Sequence, residues 1–236
     1  LDSIIPDSEL HTIPLNKTHN LFSFSCLSRE LNDFLKNDAL NDQNNLISRT
    51  SLCFWNSELV GFYTLIADTI EAKAVIDGIE HYEYRKYPGV KIARLAVDSR
   101  FERRGIGTYL LLAAIGKTLS ICESIGCRYI LVDSKQNSIG FYQKNEFKLV
   151  EKYKNRELVP MYLNIQPIIA EMNFENNDKF KDLIIDRVSG NDNLIKVIDQ
   201  LDPELSVFLV MLATVKMYSK DTFIGFIDNE WCIVKR

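Results

Sequence analysis

From residue 51 the chain reads SLCFWNSELVGFYTLIA, two runs rich in aromatic and β-branched residues on either side of Asn56-Ser57. Such runs about a two-residue polar turn predict an antiparallel hairpin. Upstream, TIPL (12–15) predicts a short strand. SRELNDFLKNDAL (28–40) predicts a helix with Ser28 as its N-cap and Leu27, Leu31, Phe34 and Leu35 on one face. Residues 68–90 interleave tyrosines with charges and contain the breaker Pro88-Gly89, so they read as loop and short helix. A strand follows over Lys91 to Val97, then a glycine-bearing turn. The helix after it runs from about Gly105 to Ile125, with Leu111, Ile115, Leu119 and Cys122 recurring at helical spacing. RYILVD (128–133) is a continuous apolar strand, NSIGFYQKN (137–145) a short helix, and FKLVEKY (147–153) and VPMYLNI (159–165) two further strands.

Continuous apolar strands on either side of an amphipathic helix imply a β-α-β crossover covered on both faces, and the hairpin adds antiparallel strands to the same sheet. The expected fold is therefore mixed α/β, a largely antiparallel central sheet flanked by helices, over residues 1–165. The texture then changes. Residues 166–236 contain a polar, punctuated stretch, an apolar helix candidate (203–219) and a hairpin candidate (222–235) turning at Asp228-Asn229. This predicts a small α+β appendage suited to structure, dimerisation or partner docking, since it holds no catalytic constellation.

A net charge of −4 provides no general field to gather a polyanion, so binding of nucleic acid would need a local basic patch. The longest apolar stretches, 109–116 and 207–215, are far shorter than the roughly 18 residues of a membrane span. The first ten residues lack the basic start and apolar segment of a secretory signal, so a cytoplasmic protein without a membrane partner is expected. Five cysteines, an odd number without a C-x-x-C pair, read as free thiols of a reducing compartment rather than as a zinc site or disulfide framework.

The most informative stretch is RLAVDSRFERRGIGTYLL (94–111): strand, charged turn, two glycines one residue apart, helix. It is not a dinucleotide fingerprint, because the third glycine would fall on Leu110. Nor is GKT (116–118) the end of a P-loop, because the leading glycine would fall on Leu111. Gly105 and Gly107 remove side chains that would block a ligand. The N–H groups of Arg104, Gly105, Ile106, Gly107 and Thr108 could then approach a diphosphate at the positive end of the helix dipole, with Arg103 and Arg104 adding charge. The plainer alternative is a glycine-softened helix start with solvated arginines.

This stretch, followed by YILVDS and by NSIGFYQKNEF in that order, resembles the acetyl-CoA-dependent N-acetyltransferases of the GNAT superfamily over about residues 10–165. The family turn is written R/Q-x-x-G-x-G/A, and its first position falls here on Glu102, a departure that sets a carboxylate near phosphates. The resemblance implies a GNAT-like fold, acetyl-CoA as co-substrate and no metal. It also implies that Leu95, Ala96 and Val97 offer main-chain groups to the pantetheine arm at a splay in the sheet, opened against Ile130 to Val132. By the same resemblance Tyr142 protonates the leaving thiolate, the Val97 N–H holds the oxyanion, and Asn137 and Ser138 bond the pantetheine or cap the helix they precede.

Together with FSCLSRELNDFLKNDAL, these motifs resemble the branch of the superfamily that includes tRNA-acetylating toxins. Those toxins acetylate the α-amine of aminoacyl-tRNA and are usually neutralised by a small ribbon-helix-helix antitoxin; the branch holds other members too, so the resemblance fixes the donor better than the acceptor. The implied acceptor is thus aminoacyl-tRNA, with Lys91, Arg94, Arg100, Arg103 and Arg104 as candidates for a basic patch and a homodimer by analogy. A small-molecule or protein amine remains the alternative acceptor, and a non-catalytic acyl-CoA-binding module the alternative class. Glu80, His81 and Glu83, before the central strand, are candidates for a general base or are simply solvated.

Overall fold

A computed structural model describes residues 3–122, 124–172, 222–227 and 230–235. Two compact units divide the chain, Leu1–Ile165 and Gln166–Arg236.

The first unit is built on a seven-stranded sheet. Its strands in chain order are β1 (Leu10–Pro14), β2 (Arg49–Trp55), β3 (Glu58–Glu71), β4 (Lys86–Val97), β5 (Tyr129–Lys135), β6 (Lys148–Leu149) and β7 (Leu158–Asn164). They lie in the order β1-β2-β3-β4-β5-β7-β6, and every neighbouring pair is antiparallel except β4 with β5. The parallel pair is joined by the helix α3 (Ile106–Cys122), the expected crossover. The β2–β3 hairpin turns at Asn56 and Ser57, with φ of 47° and 65°, the left-handed pair that a tight hairpin turn with matching twist requires.

Leu52, Phe62 and Ala96 stand in register across β2, β3 and β4 and pack with Phe34, Leu35 and Ala39 of a helical layer. That layer runs α1 (Arg29–Asp33), a π-helical turn (Phe34–Asp38) and α2 (Ala39–Asn44). Leu27, expected on its apolar face, precedes the helix and is 85% exposed. Ser28 holds the N-cap position without a side-chain cap bond; Asn32 instead reaches back, its side chain bonding the Cys26 N–H and C=O at 2.8 Å each.

α3 covers the opposite face. Gly61 lies beneath it: a Cβ there would fall 2.7 Å from Leu110 Cδ1 and 2.9 Å from the Ala96 carbonyl. The leucine tip can move, but the backbone oxygen cannot. We expect Gly61→Ala to lower stability by about 1–3 kcal/mol, read as a lower urea midpoint at unchanged slope.

Two segments differ from expectation. Residues 68–71 and 86–90 extend β3 and β4 into a long hairpin despite Pro88-Gly89. The Pro88 carbonyl accepts from Arg128 N–H, so its ring nitrogen faces the β5 side where that strand has not begun, and no bond to β3 is lost. Gly89 is needed because a Cβ would meet the Tyr129 carbonyl at 2.7 Å. Conversely, residues 147–153 form only the two-residue β6. The Val150 N–H reaches the Pro160 carbonyl, but Pro160 has no N–H to return, and the Val150 carbonyl takes Tyr153 N–H in a 3₁₀ turn instead. Tyrosine hydroxyls fix the 72–85 connection: Tyr162 accepts from Ile76 N–H, Tyr87 accepts from Ile79 N–H, and Tyr129 donates to Asp77.

In the second unit, α5 (Gln166–Met172) and an antiparallel hairpin, β8 (Thr222–Ile227) with β9 (Glu230–Lys235), are described. The helix expected over 203–219 lies outside the described residues.

Candidate active site

β4 keeps company with β5 for three residues only, Gly89 to Lys91, although β5 remains paired with β7 as far as Lys135 and β4 with β3 as far as Val97. The register against β3 slips between Thr64 and Leu65, where Arg94 faces Thr64 and Ile92 faces Leu65, so Ala93 is an extra residue on β4. This bulge falls just after the last β5 pair and bends β4 away, leaving a cleft between Ile92–Val97 and the end of β5. Ile130, expected at the opening, is still paired; the gap begins beyond Leu131.

Alternation along β4 decides which backbone groups face that cleft. Asp98 N–H donates to the Val60 carbonyl at 2.9 Å, which makes Asp98, Ala96 and Arg94 the residues bonded to β3. Leu95 and Val97 direct their N–H and C=O groups into the gap, whereas those of Ala96 point to β3.

At the far end of β4 the cradle takes shape. Among the described residues no protein acceptor pairs with the N–H groups of Arg103, Arg104, Gly105, Ile106 or Gly107. The Thr108 N–H, expected with them, is taken by the Gly105 carbonyl at 3.0 Å as the first turn of α3 closes. The two glycines do different work. Gly105 holds φ of 90°, a left-handed conformation. Gly107 faces the cleft: a Cβ there would lie 3.8 Å from Val97 and 3.9 Å from Phe141, so a longer side chain would fill the space between β4, α3 and the short helix α4 (Ile139–Gln143). Five unpaired amides beside a glycine-lined gap fit a diphosphate.

Arg103 is exposed, with φ of 61°. Arg104 is turned away from the amides: Nε donates to the Ser3 carbonyl at 3.1 Å, and the guanidinium lies 4.7 Å above the Trp55 ring. Its carbonyl accepts from Ile5 N–H, so the segment leading into β1 is what holds this side of the turn.

Tyr142, on α4, has its ring edge-on to Phe141 and Phe147, and burial pushes its phenol up to about 12. No described group hydrogen-bonds to its hydroxyl, so this is not a tyrosine whose polar end is satisfied within the fold. Asn137 and Ser138 bond each other at 3.2 Å, and neither caps α4. Glu80 and His81 pair at 3.7 Å on the surface, with His81 93% and Glu80 89% exposed, and Glu83 is exposed too, so none of the three carries the mark of a general base.

Asp98 is the residue that sequence reasoning passed over. It is fully buried and accepts from Ser25 N–H (2.9 Å), Arg100 N–H (3.0 Å) and Arg100 Nε (2.9 Å). Burial alone would raise its carboxyl, but these bonds outweigh it and hold the group below its ordinary value. An aspartate closing an apolar strand ahead of Ser-Arg is the local signal that could have found it. Among the described residues no cluster of three or more His, Cys, Asp or Glu could hold a metal, and no helix is long and apolar enough to cross a membrane. Cys53 is buried, Cys26, Cys122 and Cys127 are half-buried, and all four are free thiols.

The model of the acetyltransferase (GNAT) family matches residues 15–147. A tRNA-acetylating toxin of Mycobacterium tuberculosis (strain ATCC 25618 / H37Rv) is 29% identical over 136 residues, 57% of this chain and 82% of the toxin. Among solved structures, AtaT complexed with acetyl-methionyl-tRNAfMet superposes with a TM-score of 0.60 at 21% identity, covering 69% of this chain and 98% of AtaT. A mutant AtaT toxin bound to the C-terminus of the antitoxin AtaR and acetyl-CoA superposes with a TM-score of 0.56 at 22% identity, covering 69% and 97%.

Proposed function

Because the chain belongs to the GNAT family of acetyltransferases, we propose that it moves an acetyl group directly from acetyl-CoA to the α-amine of an aminoacyl-tRNA. The observation that carries the reading is the cleft between β4 and β5, with five unpaired amides at one end and an unpartnered tyrosine hydroxyl on α4. The choice of acceptor draws on the tRNA-acetylating relative and on AtaT, and AtaR bound to AtaT brings an antitoxin partner into the same proposal.

In this reading the amides of Arg103 to Gly107 hold the diphosphate of the co-substrate, and Leu95 and Val97 offer their main-chain groups to the pantetheine arm. The amine attacks the thioester carbonyl, the Val97 N–H bonds the oxygen that becomes negative, and the C–S bond breaks as the Tyr142 hydroxyl gives its proton to the sulfur. The amine loses a proton to water, and the tyrosine recovers one from solvent. Glu80, His81 and Glu83 are all solvated, and doing without them as bases suits an α-amine of pKa about 7.7–8.0 better than a lysine near 10.4.

The test is thiol release from acetyl-CoA with aminoacyl-tRNA, polyamines and lysine peptides as acceptors. We expect turnover on aminoacyl-tRNA, rising with pH and levelling as the α-amine becomes neutral. With the phenol pushed up to about 12, no alkaline fall from Tyr142 is expected below pH 10. Coenzyme A binding without turnover on any acceptor would favour a non-catalytic module, and turnover on polyamines or peptides alone would move the assignment to those amines.

A further inference from the structure

The cations offered by the sequence as a basic patch have mostly been used by the fold. Lys91 is bound to Asp133 and lies 3.5 Å from Asp68. Arg100 is held by Asp98 and Glu58 at 2.9 Å each, and Arg104 is committed to Ser3 and Trp55. Two remain. Arg103 is exposed at the cradle, whereas Arg94 is half-buried on β4.

Arg94 is the anomaly. Its guanidinium is stacked on the Phe34 ring, 3.6 Å from the centroid, at the first residue of the π-helical turn. Its Nε is buried without any acceptor, and no described carboxylate or carbonyl pairs with the rest of the group. The nearest polar residues in its row, Thr64 on β3 and Thr50 on β2, satisfy each other at 2.9 Å. A planar cation held against an aromatic face, partly withdrawn from water and lacking a counter-charge, is costly unless an anion arrives to meet it.

The position limits which anion that is. Arg94 follows the Ala93 bulge, at the end of the cleft away from the amide cradle, and three residues of strand separate it from Val97, about 10 Å. Its side chain lies on the sheet face covered by α1 and the π turn, whereas the cradle opens α3 on the other face. The diphosphate held by the cradle therefore does not meet it, and the partner belongs to the acceptor. An aminoacyl ester has no free α-carboxylate, so the anions common to every such acceptor are its phosphates.

We propose that Arg94 is a specificity-determining residue that takes a backbone phosphate of the acceptor in its guanidinium fork and thereby sets the α-amine at the cleft. This rests on the aminoacyl-tRNA reading and deepens it. The full chain is assayed on two acceptors: an aminoacyl ester of a trinucleotide carrying phosphodiesters, and the same ester of adenosine alone. Wild type is expected to prefer the trinucleotide. Arg94→Gln should lower kcat/KM on the trinucleotide roughly 10–100-fold, mainly through KM, and leave the phosphate-free ester unchanged. Arg94→Lys should recover part of the loss, since it restores charge without the fork, and coenzyme A affinity should be the same in all three proteins. Equal losses on both acceptors, or no preference in wild type, would overturn the role of Arg94 and leave the proposed function standing. Coenzyme A binding without transfer to either ester by wild type would overturn both.

Discussion

Tyr142→Phe is expected to leave the affinity for acetyl-CoA unchanged while lowering kcat about 100- to 10,000-fold, the range that a single positioned proton donor contributes. The split follows from the geometry. The ring is held by Phe141 and Phe147, and phenylalanine keeps those edge contacts. The amides proposed to hold the diphosphate lie elsewhere, in the turn before α3 and in its first residues. Only the hydroxyl is lost, and it has no structural partner among the described residues whose removal would unsettle the fold. Calorimetry with coenzyme A beside single-turnover thiol release separates the two quantities. A comparable loss of binding would mean that the hydroxyl positions the co-substrate, and an unchanged kcat would remove Tyr142 from the chemistry.

The motif and its flanking elements were legible in the sequence because they depend on local chemistry. Gly105 and Gly107 announce a turn with a ligand-sized gap, and Asn56-Ser57 announces a left-handed hairpin turn, since short polar side chains tolerate positive φ. What stayed hidden depends on which side of a strand a group faces. Pro88 reads as a breaker until its nitrogen is seen to look toward β5, and residues 147–153 read as a strand until Pro160 is seen to lie opposite Val150. The site divides the same way. Arg104 is a phosphate ligand by spacing, yet the segment before β1 and Trp55 claim it. Ala96 and its neighbours look equivalent in sequence, and only the register with β3 shows that Leu95 and Val97 turn their backbone groups toward the cleft. No periodicity announces the bulge at Ala93 that opens it, because it arises from pairing between strands.

Removing the Asp98 carboxylate should be among the most destabilising single changes in the first unit. It follows Val97 directly and its carboxylate receives four hydrogen bonds, so it fixes the last residue of the cleft to Arg100 on one side and to Ser25 on the other. The Ser99 N–H, bonded to the Ser25 carbonyl at 2.8 Å, closes the same junction. Asp98→Ala takes the acceptor from these donors, and because Ser25 and Arg100 lie at the surface, where water and Glu58 answer part of the loss, the cost is about 2–4 kcal/mol. The pH dependence has a definite sign. Folding lowers the Asp98 pKa below its ordinary 3.8, so the folded state binds this proton less tightly than the unfolded chain. Its stabilisation is therefore complete above about pH 4–5 and is lost as pH falls through the folded value. Urea midpoints measured from pH 7 down to pH 3 should fall below pH 4 in wild type. In Asp98→Asn, which keeps the shape and one acceptor, they should start lower and fall less. If the two proteins lose stability in parallel, the acid-sensitive carboxylate lies elsewhere, and the end of β4 is not what Asp98 secures.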